Sequence, residues 1–88
     1  DINLVMNETQ LVGPITDMML IKGRNLIISA NPRNIFNDEV ALGKGMKSVT
    51  FSIEFQHQSK TLEDKDVTPV INEIIRVAEK EFLAKLRT

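Results

Sequence analysis

Apolar and polar positions alternate without a break along Val49-Thr50-Phe51-Ser52-Ile53-Glu54-Phe55-Gln56. Val49, Phe51, Ile53 and Phe55 fall on one side and Thr50, Ser52, Glu54 and Gln56 on the other, as in a strand with one buried and one wet face. Farther on the period becomes helical, with Val67, Val70, Ile71, Ile74, Ile75 and Ala78 recurring at steps of three and four. The stretch Gly45–Gln56 and the amphipathic helix after it form the spine of the chain. Thr61 is the expected N-cap of that helix, with Asp64 as its capping-box partner. Glu63, Asp64 and Asp66 complement the helix dipole. Pro69 is placed near the first turn, and the helix is expected to reach Lys80 or Glu81.

Upstream, Ile2, Leu4 and Met6 alternate with Asn3, Val5 and Asn7, which predicts a strand over Asp1–Asn7. Asn7-Glu8-Thr9 is turn-like and supplies capping side chains. Leu11, Ile15, Met18 and Met19 share a helical face; Gly13-Pro14 sets the helix start at Val12 or Gly13, and the helix runs to Ile21. Lys22-Gly23 closes it, with Gly23 as a left-handed cap. Asn25–Ala30 is a second strand; Pro32 behind it cannot donate to a ladder, so the strand belongs at a sheet edge or ends in a bulge, and Asn34-Ile35-Phe36 continues it. Asp38–Lys47, with Gly43 and Gly45, reads as a hairpin loop, and Gln56–Lys60 leads out of the central strand. Phe82–Arg87 reads as further helix or a last strand. The order is that of an α+β, ferredoxin-like βαββαβ fold: a four-stranded antiparallel sheet with two helices on one face.

The 88 residues suit a single domain over 1–88, and 42% hydrophobic residues predict a folded core rather than disorder. Because the first residue is Asp1 rather than Met, the chain is expected to be a fragment of a longer one. No apolar run approaches the roughly 18 residues of a membrane span, and no signal-peptide pattern opens the chain. The absence of cysteine excludes disulfide and thiolate chemistry and fits a cytoplasmic setting. Net charge is −1, so the overall basicity of an autonomous nucleic-acid binder is missing. Its distribution is uneven: residues 1–21 carry −3, residues 22–60 carry +3 and residues 61–88 carry −1. The middle third is the part suited to meet phosphates.

Catalytic material is scarce. His57 is the single histidine and keeps step with the apolar side of the central strand, so it is assigned to the rim of the core. No second histidine or cysteine joins it in a metal site. Gly43-Lys44-Gly45 lacks the context of a phosphate loop and reads as a turn. Nothing in the residues constitutes a catalytic site. An RNA-recognition motif shares the topology but stacks bases on aromatics of the open sheet face. The polar side of the central strand offers Thr50, Ser52, Glu54 and Gln56 instead, and that mode is rejected.

Gly45-Met46-Lys47-Ser48-Val49-Thr50-Phe51, Thr61-Leu62-Glu63-Asp64-Lys65-Asp66-Val67 and the closing Leu86-Arg87 together resemble a known family. It is the ferredoxin-fold anticodon-binding domain found at the C-terminus of the phenylalanine–tRNA ligase beta subunit. The family pattern runs roughly G-K-K-S, an alternating strand ending near F-Q, T-L-T-D-x-E-V, a helix and a terminal L-R. Asp1-Ile2 matches its R-D-[IL] opening, and Asn34-Ile35-Phe36 stands at its D-[VL]-[YF]. Departures are Arg33-Asn34 for F-D, Met46 for a lysine, and Glu63 where a capping Thr or Ser is common. The resemblance covers nearly the whole chain and implies a final strand over Leu83–Arg87.

What the resemblance implies is tRNA binding without chemistry. The expected partners are the anticodon arm of tRNA-Phe, the remainder of the beta subunit and the alpha subunit of the synthetase. No cofactor is expected in this domain; ATP and Mg²⁺ serve the parent enzyme's distant catalytic subunit. Phe36 matches the aromatic position that stacks on an anticodon base, and Ser48 the neighbouring hydroxyl. Arg33, Lys44 and Lys47 are the expected phosphate contacts. The structural alternative for Phe36 is a core or loop-packing aromatic; for Ser48 it is an ordinary strand serine. A reading of another class is a regulatory or assembly domain of the same topology, such as a small amino-acid-sensing module.

Overall fold

In the computed structural model the alternating stretch is a strand, Met46–Phe55, and its phase decides the architecture. Val49 and Phe51 are fully buried, while Ile53 and Phe55 pack half-buried against the same core. Residues 1–23, 26–57 and 59–87 are described. Arg24, Asn25 (the expected start of the second strand), Gln58 in the loop out of the central strand, and Thr88 lie outside them.

The elements in chain order are β1 Ile2–Asn7, α1 Val12–Gly23, β2 Ile27–Phe36, α2 Glu39–Leu42, β3 Met46–Phe55, α3 Asp64–Glu81 and β4 Lys85–Leu86. The strands form one antiparallel sheet in the order β2-β3-β1-β4. Ile2, Leu4 and Met6 of β1 share a core with Val49 and Phe51 of β3, Ile15, Met18 and Met19 of α1, and Ile74, Val77 and Ala78 of α3. Both long helices therefore cover one face of the sheet. Each large side chain buried there contributes about 1.5–3 kcal/mol, so this face is where the fold gains its stability. The sheet, the two covering helices and the strand order are those of a ferredoxin-like α+β fold. None of the described helices is long and apolar enough to cross a membrane.

β2 lies at the sheet edge and is irregular twice, with register shifts between Ile27 and Ser29 and between Pro32 and Asn34. Edge and bulge both follow from Pro32, and the strand resumes through Asn34-Ile35-Phe36. Pro14 stands within the first turn of α1, where its missing N–H costs nothing.

Several local expectations are corrected. Gly23 is the last residue of α1 and does not adopt a left-handed conformation; it is glycine because a Cβ there would run into the Ile27 side chain. The Asn7 carboxamide closes its own turn, accepting from the Thr9 N–H and hydroxyl, instead of capping α1. Leu11 lies ahead of α1 and is exposed. The stretch Asp38–Lys47 is not a plain loop: Asp38 caps the single turn α2 by accepting from Val40 N–H and Ala41 N–H, and β3 already begins at Met46. Gly43 (φ 98°) and Gly45 (φ 77°) supply the left-handed backbone between them.

The N-cap of α3 is Glu63 rather than Thr61, because Asp66 reaches back to accept from the Glu63 N–H at 3.0 Å. That bond, and then Lys60, hold the Asp66 carboxyl below its ordinary value of 3.8. Pro69 falls inside α3, beyond the first turn, and the final strand is Lys85–Leu86 rather than Leu83–Arg87. Leu83 turns the chain at φ 54°, which lets the Ala84 N–H donate to the Ala78 carbonyl.

Candidate nucleic-acid interface

The helices cover one face of the sheet; the register shows what the other face presents. Phe36 of β2 stands opposite Ser48 of β3, Ser48 opposite Val5 of β1, and Val5 opposite Lys85 of β4. Directly paired residues point to the same side, and Ser48 alternates with the buried Val49, so this row lies on the uncovered face. The next row is Asn34, Thr50 and Asn3, with Arg87 continuing the ladder by donating its N–H to the Asn3 carbonyl at 2.9 Å. Here the Thr50 hydroxyl donates to the Asn3 carboxamide at 2.6 Å. Farther along, Ser52 donates to the Asp1 carboxylate at 3.1 Å.

Phe36 is 41% exposed, so it is neither sealed in the core nor free of neighbours. Above it sits the Arg87 guanidinium, 5.3 Å from the ring centroid. Arg87 and Phe36 extend from opposite edges of the sheet and meet over the two central strands. Ser48, between them in the register, is only 5% exposed although no helix covers its face. The face is also graded in charge. Lys85 and Arg87 lie at the Phe36 end, whereas Asp1 and Glu54 lie toward the other. On this face a polyanion would be drawn to Lys85 and Arg87, between Asp1 and Glu54 on one side and the carboxylates of Glu8, Asp38 and Glu39 beyond Phe36 on the other.

The remaining expected contacts do not gather there. Arg33 is exposed on β2 between the shifted pairs at Pro32 and Asn34, beside the Phe36 strand segment. Lys47 pairs with the buried Met6, hence on the helix-covered side, and its ammonium donates to the Gln10 carbonyl at 2.7 Å. It fastens the entry to α1 and is not beside Ser48. Lys44 lines a cleft of about 360 Å³ at the end of the sheet together with Glu8, Asp38 and Glu39. Those carboxylates counter its charge and make the cleft unsuited to a phosphate. His57, half-buried past β3, accepts at Nδ1 from the Ser59 N–H at 3.1 Å.

Sequence reasoning missed Arg87 and Lys85. The terminal Leu86-Arg87 was a visible signal, but nothing local says that the side chain crosses the sheet. Among the described residues no three histidine, cysteine, aspartate or glutamate side chains gather so as to hold a metal ion.

Comparison with known proteins gives the family of the chain. The family model of the ferredoxin-fold anticodon binding domain matches residues 1–87. The chain is 37% identical over 87 residues to a phenylalanine–tRNA ligase beta subunit of Prochlorococcus marinus (strain MIT 9312), covering 99% of this chain and 11% of that protein. It is 31% identical to the same subunit of Coxiella burnetii, again over 99% of this chain and 11% of the relative. The match to that of Clostridium acetobutylicum is 30% over the same shares. The chain thus spans about a tenth of the length of these relatives. A full-length family match over a helix-backed sheet of the corresponding fold leaves one assignment: the chain belongs to the ferredoxin-fold anticodon-binding domain family.

Proposed function

We propose that this chain is the tRNA-binding end of a phenylalanine–tRNA ligase beta subunit and that the uncovered sheet face grips the anticodon loop of tRNA-Phe. Family membership supports a tRNA-binding role at the coarser level. The observation that carries the finer reading is the pairing of Phe36 with Ser48 on the uncovered face, under Arg87. Unpaired loop bases are recognised by stacking and by hydrogen bonds to their edges. Phe36 supplies the stacking surface and Ser48 a hydroxyl that donates and accepts. Arg87, Lys85 and Arg33 supply positive charge around them. The domain contributes binding and positioning; the aminoacylation chemistry, with its ATP and Mg²⁺, belongs to the rest of the synthetase, whose alpha and beta subunits are the remaining partners, in the cytoplasm.

Titration of the folded 88-residue chain with an anticodon stem-loop of tRNA-Phe tests this. Phe36→Ala should weaken binding by about 1–3 kcal/mol, the range for one base–aromatic stack. Circular dichroism of the variant should stay native, since the ring is partly exposed. Equal binding by wild type and variant, with both folded, would remove Phe36 from the interface.

A further inference from the structure

A stacking platform waiting for a base should show an open ring and an open hydroxyl; here a cation lies over the ring and the serine is nearly buried. The guanidinium of Arg87 lies over the Phe36 ring at 5.3 Å from its centroid. Ser48, on a face that no helix covers, is 5% exposed. Neighbouring Val5 and Thr50 on the same face are half-buried. Ser48 stands directly between Val5 and Phe36 in the register, and the Arg87 guanidinium lies over the ring beside it.

We propose that Arg87 is a placeholder. It holds the stacking position on Phe36 while the domain is free, and an incoming nucleotide displaces it, the base taking the ring and the guanidinium moving onto the backbone phosphate. This rests on the RNA-binding reading above and adds to it how the site tells a nucleotide from other flat molecules. A guanidinium is planar and weakly hydrated, so it covers an aromatic ring well. At an exposed site such a contact is weak and easily exchanged. A bidentate pair with a phosphate is stronger. The exchange is thus favourable for a ligand that brings both a base and an anion. It is unfavourable for a bare aromatic, which must evict the guanidinium and offers it nothing in return. The tether suits the movement: Arg87 follows a two-residue strand and is held to β1 by its backbone N–H, leaving the side chain free to swing.

Nuclear magnetic resonance on the labelled chain tests the displacement. In the free protein the Arg87 δ-protons should be shifted upfield by the Phe36 ring, and Phe36→Leu should abolish that shift while the amide spectrum stays native. Addition of the tRNA-Phe anticodon stem-loop should remove the shift in step with binding. Arg87→Gln should lower the slope of log affinity against log salt by about one, as for one lost phosphate contact. It should at the same time raise the affinity for a phosphate-free nucleoside. Stem-loop binding with the ring-current shift retained, or an unchanged salt slope in Arg87→Gln, overturns the placeholder and leaves RNA binding intact. A folded domain that binds no stem-loop overturns the RNA reading itself, and the placeholder with it.

Discussion

Gly23 separates two explanations of one glycine, and substitution distinguishes them. A Cβ at Gly23 would meet the Cβ, Cγ1 and Cδ1 of Ile27, with the Ile27 Cβ at 2.6 Å. Carbon atoms in contact prefer about 3.5–4.0 Å, so roughly an ångström must be found. The Ile27 Cβ is fixed to the backbone of β2 and its side chain is 5% exposed, so the neighbour cannot swing aside. Forcing an extra methyl into such a site costs about 1–3 kcal/mol. The better helix propensity of alanine returns at most about 1 kcal/mol, and less at a terminal residue. Gly23→Ala should therefore lose about 1–2 kcal/mol. For 88 residues that is a fall in melting temperature of roughly 5–10 °C, followed by circular dichroism. Gly23→Asn should be at least as harmful, whereas a left-handed cap would tolerate asparagine. Ile27→Ala, itself costly, should combine with Gly23→Ala for less than the sum of the two, because it removes two of the three offending atoms. A neutral Gly23→Ala, or strict additivity with Ile27→Ala, would refute the close-approach argument.

Other perturbations follow from single observations. The Ser29 hydroxyl is buried with no hydrogen-bond partner among the described residues, so Ser29→Ala should be neutral or gain up to about 1 kcal/mol in urea denaturation; a clear loss would mean that the hydroxyl is bonded. Leu83 holds φ 54° with its side chain 79% exposed, and Leu83→Gly should raise the calorimetric melting temperature by the equivalent of about 0.5–1 kcal/mol, since strain is relieved and little burial is lost. The Asp66 carboxyl is held below its ordinary value of 3.8 by the Glu63 N–H and then by Lys60. Its stabilisation is therefore present above that value and lost as pH falls through the lower folded value. The gap in melting temperature between wild type and Asp66→Asn should close on acidification below 3.8, and a gap independent of pH would refute it.

Period, proline and parity carried most of the architecture into the sequence. Strict alternation located β3 and its buried side, and Pro32 pointed to a sheet edge or a bulge, of which the strand has both. The same alternation puts Lys47 in step with Val49 and Phe51, away from the Ser48 face, against the expectation that it joins the phosphate contacts there. The short turn α2 escaped because four residues cannot display a period; its trace was the capping Asp38 and the glycine that ends it. Glu63 was passed over as a cap because Thr61 is the stronger capping residue, and the choice depended on where Asp66 could reach. Of the candidate interface, Phe36 and Ser48 were legible and the structure brings them together. Arg87 was not, since a contact made across two intervening strands leaves no local pattern, and a two-residue strand is too short to reveal which way its neighbours point.

The two register shifts of β2 have an arithmetical effect on where the aromatic ends up. From Ile27 to Phe36 the chain spends nine steps against the seven that separate Phe55 from Ser48 on β3, so each shift takes up one residue and leaves the facing on either side to the β3 partners. Ile27 can thereby dip under the helices while Phe36 surfaces opposite Ser48. Removing one extra residue, Arg33 for instance, would let Asn34 follow Pro32 directly opposite Thr50 and Phe51, a regular ladder in which Phe36 still meets Ser48 and Ala30 still faces the core. Removing one from each shift would leave both ends facing as they do now.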